Sequence, residues 1–251
     1  ILLKSTKKTL VSLMHINNEI GTILDIQKVA DLCQANNVLF HSDTVQSVGH
    51  YYIDVKETPI DFLVASAHKF HGPKGIGFAF IRKNSAIKSL IIGGTQERGI
   101  RAGTESIHDI VGLDEALALS YQFLEAENTQ VKDLKLYFIN QLMTHIPCIK
   151  FNGVCSDSKQ STYTLINVCL PVSSTSAPMF LFQLDLKGIA CSKGSACQSG
   201  SGKGSHVLAE ILQEEDAKRP SIRFSFSIYN TKKELKSVVS ILKELVEEAN
   251  S

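Results

Sequence analysis

The chain has 251 residues, enough to bury a large core as one large domain or two smaller ones. Its 26 basic and 25 acidic side chains leave a formal charge of +1, so nothing draws it to nucleic acid or to an anionic membrane surface. Hydrophobic residues make up 43% of it, with no run long enough to span a bilayer, and its six cysteines form no CxxC pair. That cysteine usage argues against a zinc site or a disulfide framework and fits a reducing, cytosolic setting. The opening ILLKSTKKTL lacks a methionine and a continuous apolar stretch, and reads as the cut edge of a longer protein rather than a signal peptide.

Thr9 to Ile16 reads as an apolar strand ending in Asn17, Asn18, Glu19, Ile20 and Gly21, a polar cluster of the kind found where a strand meets a ligand. Asn18 is a candidate site residue, although the same pair of asparagines also suits a plain turn. From Asp25 to Ala35, apolar Ile26, Val29, Ala30, Leu32 and Cys33 recur at helical spacing, and Asn36 and Asn37 are placed to close that helix in a left-handed cap. Val38 to Phe40 is expected as a short strand running into HSDTVQSVGH. Asp43, just past it, is an acid able to keep the ring nitrogen of a pyridinium cofactor protonated, with Gln46 in reach of the ring hydroxyl; a helix cap is the other common use of such an aspartate.

Asp61 to Ser66 reads as a buried strand stopping at a polar turn, and Gly77 to Ile81 as another strand after a Gly and Pro loop. Between them lies SAHKFHGPKG, which puts Lys69 at a strand's end. A lysine held there by a packed scaffold can form a Schiff base, because partial burial disfavours the ammonium and frees the amine to attack a carbonyl; the alternative is a solvated loop lysine. Strand, helix, strand, strand implies a mostly parallel sheet flanked by helices, with its ligand crevice at the carboxyl edge. The GGTQERGIRAGT loop follows, where Arg98, Arg101 and Thr104 suit a phosphate or carboxylate. It has no P-loop ending and no GxGxxG before a helix, which disfavours nucleotide binding.

Ser106 to Leu124 is expected as a long helix, continued by a second through Leu134, Phe138, Leu142 and Ile146. This pair is expected to bridge a large domain, residues 1–125, and a small one, residues 126–251. In the small domain the pattern gives a strand over Leu165 to Leu170 and a helix over Ala177 to Leu186 stopped by Gly188. The stretch CSKGSACQSGSGKGSH is too small and polar to pack as core, which makes Cys197 a good carrier between an active site and a partner, while Cys191 is expected to be packed. Arg223, in the strand SIRFS, suits a substrate carboxylate or a surface ion pair. Thr231 and Glu234 form a capping box ahead of Leu235, Val238, Val239, Leu242, Leu245 and Val246, one face of an amphipathic terminal helix.

In this order, HINNEIG, HSDTVQSVG, SAHKFHGPKGIG, GGTQERGIRAGT, KGSACQSG and SIRFS resemble the NifS/IscS group of cysteine desulfurases, class V members of the fold type I enzymes that use pyridoxal 5'-phosphate. The resemblance implies an α/β large domain and a small carboxyl-terminal α+β domain. It implies Lys69 as the Schiff-base lysine, Asp43 as partner of the pyridine nitrogen, Gln46 at the ring hydroxyl and Asn18 near ring and substrate. Ser66 and His68 are phosphate contacts by the same likeness, Thr104 a phosphate contact across a homodimer, Arg223 the clamp on the substrate carboxylate, and Cys197 the persulfide carrier. The implied reaction takes L-cysteine to L-alanine in the cytoplasm and passes the sulfur to an acceptor such as an iron-sulfur scaffold protein. Selenocysteine lyase, another class V lyase or aminotransferase, and a non-catalytic sulfur-relay module are the alternatives. Family chains carry about a third more sequence ahead of HINNEIG, with a phosphate loop and a ring-stacking histidine, so the chain is expected to be a carboxyl-terminal portion that by itself is inactive and retains no cofactor.

Overall fold

The computed structural model of the chain describes residues 7–83, 85, 87–173, 177–193 and 205–250. It divides into two compact units: the described residues up to His15 with Leu24–Leu124, and Ile16–Ile23 with the described residues from Glu125 onward.

The first unit is a four-stranded sheet built from β1 (Leu10–Met14), β2 (Leu39–Asp43), β3 (Phe62–Ser66) and β4 (Gly77–Ile81), in that spatial order. β1, β2 and β3 run parallel, and β4 pairs antiparallel to β3. The crossover between β1 and β2 is α1 (Ile26–Ala35). Asp25 starts it by accepting the Lys28 N–H at 3.1 Å, and Asn37 follows it in the left-handed region at φ 52°. Ile26, Ala30 and Cys33 of α1 bury against Phe40, Ile60 and Leu63, which roots one face of the sheet in core. A second cluster, Val48, Ala65, Ala67 and Phe70, takes in Leu113, Ala116 and Leu117 of α2 (Ile107–Gln122). Gly49 is needed where it sits: its φ is +79°, and a Cβ there would lie 2.5 Å from the Cβ of Phe70.

The short strand expected over Val38–Phe40 instead begins at Leu39 and runs through Asp43. Its last three residues carry no apolar signal, yet the register pairs His41, Ser42 and Asp43 with Phe62, Leu63 and Val64, and ladder bonds hold them extended. Asp43 is therefore the final residue of a strand rather than part of the turn beyond it.

α3 (Leu124–His145), all but its first residue in the second unit, buries Val131, Leu134, Phe138, Ile139 and Leu142 there. An antiparallel sheet of β5 (Lys150–Phe151), β6 (Leu165–Cys169) and β7 (Ser221–Ser225) has β6 in its centre, all five of whose residues are buried. Phe138 meets Phe224 and Phe226 edge-on, with ring centroids 5.3 and 5.8 Å apart. The short helices α4 (Ala177–Leu186), α5 (His206–Ile211) and α6 (Glu214–Ala217) fill the connections. α7 (Lys232–Asn250) buries Leu235, Val239, Leu242, Leu245 and Val246, and the Thr231–Glu234 capping box is formed on both sides. Among the described residues no helix is long and apolar enough to cross a membrane.

Candidate active site

In the first unit the polar candidates gather at the carboxyl edge of β2 and β3, because parallel strands joined by crossovers end together there. Asp43 is paired in register with Val64. Side chains alternate along a strand, so Asp43, Val64 and Ser66 share one face, opposite the buried Ser42, Leu63 and Ala65. Asp43 Oδ1 accepts the Val45 N–H at 3.0 Å, an Asx turn that starts the tight 44–49 segment carrying Gln46. Thr44 anchors that segment by donating its hydroxyl to the Val64 carbonyl at 2.7 Å.

Directly after β3, Ala67–Phe70 winds into a 3-10 turn, closed by His71 in the left-handed region at φ 66°. Lys69 stands on this turn, half-buried, between the fully buried Ala67 and Phe70. Ser66 Oγ and His68 Nδ1 lie 3.0 Å apart and form a polar pair at the strand's end. The backbone of Lys69 is held from the side by His50, whose Nε2 is 2.9 Å from the Lys69 carbonyl oxygen. A carbonyl only accepts, so Nε2 carries the proton, and burial lowers the His50 pKa, which favours that neutral form. Thr104 is exposed, on the segment leading into α2.

The second unit holds Asn18 and Arg223. Arg223 Nη1 donates to the Asn18 carbonyl at 2.7 Å and Nη2 approaches Ser192 Oγ at 3.4 Å, two contacts that orient the guanidinium plane. The Arg223 and Ser192 backbones also exchange hydrogen bonds of 2.7 and 3.1 Å. Cys191 is half-buried, and burial pushes its thiol up to about 11, a poor thiolate at neutral pH. Cys197 lies outside the described residues. Two residues of this unit that sequence reasoning passed over are Glu19 and Asn167, 1% and 0% exposed. Asn167 Nδ2 donates to the Glu19 carbonyl at 3.0 Å, and Asn152 Nδ2 donates to Asn167 Oδ1 at 2.8 Å. The signal for Glu19 was present in the polar cluster after β1; Asn167 had none, being one polar residue inside the apolar run LINVC. His50 was equally silent, as the last letter of a motif read only for its acid and amide.

Residues 2–238 match the family model described as aminotransferase class-V. The cysteine desulfurase IscS of Clostridium botulinum (strain Hall) is 40% identical over 95% of this chain and 59% of its own length. That of Dictyoglomus turgidum is 38% identical over the same shares. The NifS-like protein of Rickettsia africae superimposes with a TM-score of 0.85 at 29% identity, covering 98% of this chain and 64% of that one. A second NifS-like protein gives 0.84 at 29% identity. The chain thus spans about six-tenths of the length of the curated relatives it matches. The residues of the first unit fit the cofactor of this family in kind: an amine for its aldehyde at Lys69, an acid for its ring nitrogen at Asp43, and hydroxyl and imidazole donors for its phosphate at Ser66 and His68. On this match, on the mixed sheet flanked by helices that it shares with NifS-like proteins, and on these ordered motifs, the chain belongs to the aminotransferase class-V family of pyridoxal-phosphate-dependent, fold type I proteins.

Proposed function

We propose that the complete protein is a cysteine desulfurase, converting L-cysteine to L-alanine and keeping the sulfur as a persulfide on Cys197. The observation that carries this reading is that an acid, Asp43, ends β2 while an amine, Lys69, stands on the turn directly after the adjoining parallel strand β3. The relatives named for that activity, at 38% and 40% identity, support it.

Pyridoxal phosphate, when bound, supplies an electron-accepting ring for bonds made or broken next to the substrate amine. The chain's own residues do the rest. Asp43 holds the proton on the ring nitrogen, Gln46 hydrogen-bonds the ring hydroxyl, and Ser66 with His68 takes up phosphate charge, joined by Thr104 across a homodimer. Arg223 grips the substrate carboxylate and Asn18 lies beside the substrate, which fixes the amino acid for reaction. The Lys69 amine removes the α proton. Cys197, as thiolate, attacks the substrate sulfur: a sulfur–sulfur bond forms, the carbon–sulfur bond breaks, and alanine leaves after protonation. In the cytoplasm the persulfide then serves iron-sulfur cluster or thiolation pathways through an acceptor protein such as an iron-sulfur scaffold. The 251 residues alone, which span about six-tenths of the length of those relatives, hold no cofactor on this reading; an absorbance band from bound cofactor on this chain would overturn that statement.

The test is alanine release from L-cysteine by the complete protein. Lys69→Ala and Cys197→Ser each abolish it on this reading. A Cys197→Ser variant that keeps lyase activity on selenocysteine while losing desulfuration would favour a selenocysteine lyase.

A further inference from the structure

Ser192 and Ser205 stand, in sequence, on either side of Cys197, and both are tied to the turn that carries Asn18. Ser192 reaches it through Arg223, which pairs with the Ser192 backbone and holds the Asn18 carbonyl. Ser205 reaches it through Glu19, whose carboxyl group accepts the Ser205 hydroxyl proton. The Ser205 oxygen accepts in turn from the Leu208 N–H at 3.0 Å, so the same hydroxyl caps α5. Glu19 is fixed from the other side as well, its carbonyl held by Asn167 in the middle of β6. A buried carboxyl group is an expensive way to stabilise a fold, and an apolar side chain of similar volume does as well or better. A buried acid whose hydrogen bond reaches across the sequence to Ser205 is suited to setting position.

We infer that Glu19 is a positioning residue for the desulfurase reaction: it locks Ser205, and with it the start of α5, to the Asn18 turn, as Arg223 locks Ser192. The inference rests on the proposed function, in which Cys197 and Asn18 serve one substrate. In the complete holoprotein, Glu19→Ala speeds amide hydrogen exchange at Ser205–Ile211 and at Asn17–Gly21 together. It lowers kcat for alanine release about tenfold, equivalent to about 1.4 kcal/mol, while KM stays within about twofold and cofactor absorbance is unchanged. Glu19→Gln keeps an acceptor for Ser205 and recovers most of the rate. Unchanged exchange at Ser205–Ile211 overturns the tie. Faster exchange with unchanged kcat makes Glu19 merely structural and overturns the positioning role. If Glu19→Ala does not fold, Ser205→Ala is compared with Ser205→Asn, which retains both a helix cap and a donor toward Glu19. The account requires Ser205→Ala to be slow and Ser205→Asn to be restored, and equal rates refute it. A wild-type protein that releases no alanine defeats the desulfurase reading instead, and the exchange measurement still decides the tie.

Discussion

Replacing Gly49 by alanine tests how tightly the Lys69 turn is seated. Gly49 has φ +79°, a conformation that costs an L-residue about 1–2 kcal/mol. The new methyl would lie 2.5 Å from the Cβ of Phe70, 3.0 Å from its Cγ and 3.4 Å from the Cβ of Ser120. Phe70 is fully buried and has nowhere to swing, so about 1 Å of relief must come from moving the turn, at an overpacking cost of about 1–3 kcal/mol. The sum is about 2–5 kcal/mol. Gly75→Ala supplies the control, since φ there is +89° and an added Cβ meets nothing within 4 Å, leaving only the conformational cost. Urea unfolding of both variants reads the difference. Because Phe70 follows Lys69 directly, Gly49→Ala in the complete protein also weakens cofactor attachment, whereas Gly75→Ala spares it. Equal destabilisation by the two substitutions would refute the claim that Phe70 and the turn are rigidly packed.

Lys135 is buried on α3, its ammonium donating to the Thr162 carbonyl at 2.6 Å and to Ser161 Oγ at 3.1 Å, and burial lowers its pKa from 10.5 to about 8. The unfolded chain therefore binds more protons between about 8 and 10.5, and the stability of wild type relative to Lys135→Met rises across that window by about 3 kcal/mol; a flat difference in denaturation against pH contradicts this. Thr231→Ala removes one half of the capping box of α7 and costs about 1 kcal/mol in thermal unfolding, while Thr231→Ser costs a few tenths. Arg223→Lys loses the forked geometry and raises KM for L-cysteine about tenfold or more in steady-state assays of the complete protein, an outcome that an unchanged KM would exclude.

What could be read from the sequence was whatever short-range pattern controls. The limits of β4, α4 and β7 coincide with the expected ones, since each is an apolar run between Gly, Pro or polar breaks. Asp43 was found as an acid near a strand end, but its place inside β2 depends on a register with β3 that no local pattern encodes. The reversed direction of β4 was likewise set by pairing rather than by composition. Buried polar groups were the hardest to see. Lys135 sits among the apolar positions of a correctly expected helix, and Asn167 and Glu19 are joined across 148 positions of sequence. Arg223 could be placed on its strand, while its contact with Asn18 comes only with the fold.

The most direct test is to reduce the complete, cofactor-loaded protein with borohydride and locate the pyridoxyl group by peptide mass spectrometry. The account predicts a single modified peptide with the adduct on Lys69, absent in Lys69→Ala. An adduct on another lysine, such as Lys74, or an unmodified Lys69 in active protein, would contradict it.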